Sequence, residues 1–361
     1  LARRRSAQCT RPEATDLPTG AIAAAATTSL PESHAGGKNW DYRYAWIRDT
    51  AYALDALRRF GLREETHASI SWLLRTLRDH GPELGVFYRL DGSESDGTTT
   101  HDVPGWHGIG PVTTGNPAGG QLQLGTFADL FATVRHYVNS GHMLDTDTGH
   151  LLASVADQAC DAWRQRDAGM WELPERQHYT SSKIGCWQAL RCAVELAKDG
   201  QISGDPDRWA CEADRIRDWV ERSCWSEELG AYEWYPGSGK LDASILLHAG
   251  SGFDRGPRMS ATINAIRRDL GAGPLIFRYS GAREDEREGA FVACSFWAVS
   301  ALHHVGRQAE ARQLMAEMVA LTNDVGILAE MIDAEDHAFL GNLPQGLSHL
   351  ALIGAALDLA G

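Results

Sequence analysis

Basic residues are in short supply: the 361-residue chain carries 34 Lys and Arg against 48 Asp and Glu, a formal net charge of −14. That deficit argues against a nucleic-acid backbone or an anionic membrane surface as partner, and for a soluble protein with a neutral or small ligand. Cysteine is sparse as well. The seven present (Cys9, Cys160, Cys186, Cys192, Cys211, Cys224, Cys294) are odd in number and lack C-x-x-C spacing. They suit neither a disulfide framework nor a zinc site, and read as buried thiols of a reducing compartment, which predicts a cytoplasmic protein. No apolar run approaches the ~20 residues of a membrane span, and Leu1-Ala2-Arg3-Arg4-Arg5 is not followed by the apolar core of a signal peptide. A fixed-period repeat is also missing, which counts against a helical solenoid. Strand signals are few, mainly at residues 231–235 and 274–279.

What the chain has in abundance is helical period. Leu54, Leu57 and Phe60, then Ile70, Leu73, Leu74 and Leu77, recur at three and four residues on either side of the break Gly61-Leu62-Arg63. The same pattern returns at residues 122–138, 151–163, 182–196, 208–225, 241–248, 258–270, 289–304, 309–321 and 347–359. With the first pair this makes eleven candidate helices, most joined by short turns. Consecutive helical hairpins cannot form a parallel sheet, so the expected class is all-α: a bundle, a solenoid or a closed ring. Residues 1–38 are rich in Pro, Gly and Ser, and residues 1–17 are expected to be a poorly ordered arm. Residues 83–118 form a long stretch without helical period, a kind of segment more often functional than idle.

The most unusual stretch is N-W-D-Y-R-Y-A-W-I-R-D-T at residues 39–50, with four aromatic rings and four charged groups in twelve positions. Trp40, Tyr42, Tyr44 and Trp46 alternate as in a strand, while Asp49 could equally open a helix over Tyr52-Ala53-Leu54-Asp55-Ala56-Leu57. Aromatic faces beside paired ions suit a polyhydroxylated ring, whose C–H faces stack and whose hydroxyls take charge-assisted hydrogen bonds. Similar clusters stand near other helix boundaries: Gly169-Met170-Trp171-Glu172, Phe277-Arg278-Tyr279, and Glu330 to Asp333 ahead of Gly341-Asn342-Leu343-Pro344-Gln345. In a closed ring such loops gather at one end and form a pocket. Glu172 has apolar neighbours that would raise its proton affinity, whereas Glu330, with Asp333 and Glu335 near, is expected to stay ionised. Two carboxyl groups in different environments are the minimal equipment for hydrolysing a glycosidic bond.

The tract P-T-G-A-I-x-A-A-x-T-T-S-L-P-E followed by N-W-D-Y-R-Y-x-W-x-R-D resembles the opening of the catalytic domain of glycoside hydrolase family 15, the glucoamylase-like enzymes. So do Gly169-Met170-Trp171-Glu172, Glu288-Gly289-Ala290-Phe291, and Gly341-Asn342-Leu343-Pro344-Gln345 with Ser348-His349-Leu350. The resemblance implies an (α/α)6 barrel of about twelve helices in two concentric rings, with residues 1–361 forming a single catalytic domain. It implies exo-hydrolysis of an α-glucosidic bond with inversion. Glu172 then stands at the general acid and Glu330 at the general base, with Tyr42 beside the nucleophilic water. Arg48, Asp49, Trp46, Trp171 and Arg278 stand at sugar-binding positions. Inversion requires the carboxyl groups to be ~6.5–9.5 Å apart, leaving room for water.

The resemblance names no metal or cofactor, and His101, His107, His178 and His349 are dispersed, as hydrogen-bonding or core residues would be. Departures from the family pattern at residues 121–129, Leu173 and Leu347 weaken the case for long α-1,4 chains. The β-sandwich domain that precedes many family members is not expected within these 361 residues. The chain is therefore most similar to the isomaltose glucohydrolase branch, acting on short α-linked glucose oligosaccharides; trehalase or maltooligosaccharide glucoamylase activity is the alternative. An inactive sugar-binding protein on the same fold would require a lost carboxylate.

Overall fold

A computed structural model describes residues 15–16, 19–81, 83, 85–95, 97–283 and 287–361. Of the expected arm only Thr15–Asp16 is described, as a short strand paired with Ala21–Ile22. The rest of it lies outside the described residues, as do Cys9 and Pro18.

Eleven α-helices are present among the described residues. The first pair is α1 (Ile47–Arg59) and α2 (Arg63–His80), followed by α3 (Thr126–Asn139), α4 (Thr146–Ala162), α5 (Thr180–Lys198) and α6 (Pro206–Ser223). Then come α7 (His248–Ser251), α8 (Pro257–Asp269), α9 (Val292–His304), α10 (Gln308–Ala320) and α11 (Gly346–Ala360). Local chemistry sets several starts. Asp145 and Asp205 accept a backbone N–H from Thr148 and Arg208 as N-caps of α4 and α6, and Pro206 and Pro257 occupy first helical positions. The thirteen strands among the described residues are two or three residues long. They are clips between loops.

The helices form two layers. Helix α1 packs on α3, α3 on α5, α5 on a 3₁₀ turn (Ala243–Leu247) with α7, these on α9, α9 on α11, and α11 back on α1. That sequence of contacts closes a ring. Its members are apolar nearly all round where they are most enclosed: ten of the thirteen residues of α9 are buried, Val292–Val299 without a break. Helices α2, α4, α6, α8 and α10 pack outside, each burying one stripe; α6 buries Trp209, Glu212, Ala213, Ile216 and Val220 and leaves its charged face to water. This is the (α/α)6 barrel. Most of the buried apolar side chains make one continuous cluster between and within the rings, and a smaller group of Ile22, Ala53, Leu57, Leu350 and Ile353 seals α11 against α1.

Three sequence expectations shift. The helical period at 241–248 becomes a 3₁₀ turn capped by Asp242 and a four-residue helix, ended by Gly252 in the left-handed region (φ +79°). Residues 39–50 satisfy both readings at once: Ala45–Trp46 is extended and pairs with Phe87–Tyr88, and Asp49 then lies in the first turn of α1. Among the cysteines, Cys160, Cys186, Cys224 and Cys294 are buried thiols as expected, but Cys192 on α5 is only half-buried and Cys211 on α6 is exposed.

Candidate active site

The loops that lead into the inner helices meet at one end of the ring. They bring the N-termini of α1, α9 and α11, the positive ends of their peptide dipoles, and the loops ahead of α3 and α5 to a cavity of about 350 Å³. Tyr42 lines it from the first loop with Arg48 and Asp49 from the first turn of α1, Asn116 and Gln121 from the second loop, Trp171 and Glu172 from the third, Arg278 and Phe291 from the stretch before α9, and Glu330 and Gln345 from the approach to α11. The irregular segment 83–118 therefore does contribute, through its last residues.

Glu172 ends a tight turn in which its N–H donates to the Gly169 carbonyl, and it carries a left-handed backbone (φ +61°), uncommon outside glycine. Its Oε1 accepts a 2.7 Å hydrogen bond from the Trp46 indole N–H. Burial raises the proton affinity of Glu172, opposed by the Arg48 guanidinium and the Trp46 N–H. Arg48 is held from two sides, donating to Asp49 Oδ2 at 3.1 Å and to the Met170 carbonyl at 2.8 Å. Trp171 donates its indole N–H to the buried Asp242 at 2.7 Å and meets Phe291 edge-on at 5.4 Å between centroids.

On the other side, Glu330 is 1% exposed and accepts the Asn342 N–H at 3.0 Å and a hydrogen bond from Tyr42. Gly341 makes room for it, with φ +72° and no side chain; a Cβ there would stand 2.6 Å from Glu330 Oε2. The expectation that Glu330 resists protonation needs correction: burial pushes its carboxyl up to about 7, against the pull of Asn342, Arg278 and Tyr42. Both carboxyl groups are raised, so proton affinity alone does not divide the roles.

Seven of the eight residues singled out from the sequence line this one cavity. Trp46 does not. It is 1% exposed and stacks on Phe87 at 4.5 Å, reaching the site through its N–H to Glu172 and its edge-on contact with Tyr42 at 5.3 Å. Sequence reasoning missed the buried layer behind Glu330. Arg278 donates to Glu288 through Nε (2.9 Å) and Nη2, and to Glu32 at 3.3 Å, while Lys38 also pairs with Glu288. Glu32 and Glu288 sit in tracts quoted above for resemblance alone; nothing local marked them as charged groups that fold inward. Leu173 and Leu347, noted as departures, do line the cavity.

Of the four histidines, His349 is buried and accepts the Leu328 N–H at 3.1 Å, and His101 lies 2.9 Å from the Thr114 hydroxyl. His178 is half-buried near Trp219, whereas His107 is exposed, edge-on to Trp106. Among the described residues one group brings potential metal-ligand atoms within 4.8 Å of one another: His34, Asp333 and Asp336, none of them buried.

A closed ring of helical hairpins with two carboxyl groups facing one pocket defines the class of (α/α)6-barrel glycosidases. The sequence model of glycosyl hydrolases family 15 matches residues 10–309, and the chain belongs to that family. It is 34% identical over 354 residues to a trehalase of Mycobacterium tuberculosis, covering 95% of this chain and 52% of that protein. A trehalase of Thermoplasma volcanium is 31% identical over 351 residues, covering 95% and 56%. The chain thus spans about half the length of the curated relatives it matches. Among solved structures, a wild-type glycosidase superposes with a TM-score of 0.78 at 18% identity, covering 99% of this chain and 96% of that one.

Proposed function

We propose that the protein hydrolyses an α-glucoside with inversion, Glu172 acting as general acid and Glu330 as general base, and that the substrate is α,α-trehalose. The observation that carries the reading is that Glu172 and Glu330, 158 positions apart (330 − 172), face one cavity with Tyr42, Arg48, Asp49, Trp171 and Arg278. Glu172, protonated, donates to the glycosidic oxygen as the bond breaks, and Glu330 takes a proton from the water that attacks the opposite face of the ring. Arg48 and Asp49 grip hydroxyls, and their mutual hydrogen bond keeps them oriented before the sugar arrives. The rings of Trp171 and Phe291 offer apolar wall to its C–H face. Trehalose displaces isomaltose as the leading substrate because the curated relatives above are trehalases. Six free cysteines among the described residues, four of them buried, support placement in a reducing compartment.

The test is glucose release from trehalose, isomaltose, panose and maltose. Trehalose should be preferred, and proton NMR of the first products should show α- and β-glucose in equal amounts, since attack inverts one anomeric carbon and leaves the other as it was. Glu172→Gln and Glu330→Gln should each cut turnover by roughly 10²–10⁴-fold with the melting temperature unchanged. Preference for isomaltose would restore the earlier substrate expectation. Near-normal activity in either variant would remove the residue assignments, and no glucose from any of the four would favour a sugar-binding protein.

A further inference from the structure

Behind the base lies a carboxyl group that the reaction as described does not use. Glu32 is 0% exposed and does not reach the cavity. Its two oxygens have different partners: Oε1 lies 3.3 Å from the Tyr42 hydroxyl and Oε2 3.3 Å from Arg278 Nη2. Tyr42 also hydrogen-bonds to Glu330, so one phenol stands between two carboxyl groups. A phenol has a single proton to give. Two ionised carboxylates would both demand it, and one would be left facing an oxygen lone pair at hydrogen-bond distance.

Charge counting points the same way. Among the described residues, the charged groups that act most on Glu32 are Glu330, Arg278, Glu288 and Lys38, and its hydroxyl neighbour is Tyr42. Fully ionised, these three carboxylates outnumber the two cations, and like charges crowded in a buried site repel. One added proton makes the cluster neutral. Glu288 is not its seat, because it receives both Arg278 and Lys38. Glu330 has the Asn342 N–H to stabilise its anion, while among the described residues no backbone N–H reaches the Glu32 carboxyl.

We propose that Glu32 is a positioning residue that stays protonated and donates from Oε1 to the Tyr42 oxygen, directing the Tyr42 proton onto Glu330 and so holding the base ionised and oriented. Oε2, the carbonyl oxygen of the acid form, accepts from Arg278. The direction of the proton shift agrees: burial first, then the Glu330 charge, hold Glu32 well above the usual carboxylate range against Arg278. The proposal deepens the acid–base reading and rests on it for the role of Glu330.

Glu32→Ala removes the donor. On whichever α-glucoside the wild type cleaves, kcat should fall by about tenfold or more, the worth of one buried hydrogen bond, with KM nearly unchanged. The acidic limb of the pH profile should move to higher pH, because Glu330 becomes harder to ionise. Glu32→Gln keeps a neutral donor toward Tyr42 and an acceptor toward Arg278, and should rescue most of kcat and return the limb. If Glu32 were instead an anion paired with Arg278, Glu32→Gln would lose as much as Glu32→Ala, and that result overturns the proposal. A readout independent of substrate separates this from the functional assignment. The infrared difference between wild type and Glu32→Gln at neutral pH should contain the C=O band of a protonated carboxyl, and its absence overturns the proposal whether or not any glucoside is hydrolysed. Should Glu32→Ala not fold, the near-isosteric Glu32→Gln and its infrared spectrum decide.

Discussion

At Glu172 the backbone sits in a region that side chains with a Cβ avoid, and the cost, about 1–2 kcal/mol, has to be offset by its surroundings. The turn onto Gly169 and the Trp46 hydrogen bond hold it there. Trp46 thus acts on the proposed acid from outside the cavity lining. Its N–H donates to the carboxylate and so favours the charged form; removing it lets burial raise the Glu172 proton affinity further. In Trp46→Phe the alkaline limb of the kcat/KM profile, where the acid loses its proton, should therefore move to higher pH by about one unit. A limb that stays in place, measured on the substrate the wild type prefers, would show that the indole N–H does not tune the acid. The sequence marks Trp46 as special through its place among four alternating aromatics. It does not mark the direction in which the ring points, because that follows from pairing with Phe87–Tyr88, a strand over forty positions along the chain.

Elements position the site through their ends. Helices α1, α9 and α11 begin at the cavity, and the loops ahead of α3 and α5 reach it, so the chain before each of these helices decides where a functional side chain emerges. The turn before α11 is the tightest case. The strand Met331–Ile332 pairs with both Ala290–Phe291 and Phe339–Leu340, and Gly341 then folds directly over Glu330. Gly341→Ala puts a methyl group 2.6 Å from Glu330 Oε2 in a left-handed backbone. The expected result is a loss of about 1–2 kcal/mol in stability together with a kcat lowered by at least about tenfold, since Glu330, the proposed base, must move. Thermal denaturation and steady-state kinetics on the same preparation check both halves. The Gly341-Asn342-Leu343-Pro344-Gln345 motif was legible as a loop, and the two-fold role of Asn342, whose N–H serves Glu330 and whose side chain reaches the Trp40 carbonyl, was not.

For the whole molecule, the decisive event is closure of the ring. Sequence neighbours make the hairpins, but α11 must find α1 across nearly the entire chain, and the seam is a small apolar cluster around Ile353, which is 0% exposed. Ile353→Ala should cost about 2–5 kcal/mol through lost burial and the cavity left behind, read as a lower denaturation midpoint. A loss under about 1 kcal/mol would mean that the ring holds without this seam. Such a variant should lower the midpoint well before it affects turnover in the cold, because the cavity lies at the other side of the inner helices' first turns.

The local alternation of apolar and polar residues was enough to determine the number of helices, most of their limits, the all-α class and the loops worth watching. Helical period is written into neighbours three and four apart and needs no distant partner. The run at 241–248 departs from that rule only because Asp242 and Gly252 cut the helix short. The meeting of Glu32, Tyr42, Arg278, Glu288 and Glu330, and the proton they share, belonged to the tertiary structure alone. Charges from opposite ends of a chain come within hydrogen-bond reach only when the ring has closed and expelled the water between them, and no pattern of nearest neighbours encodes that distance.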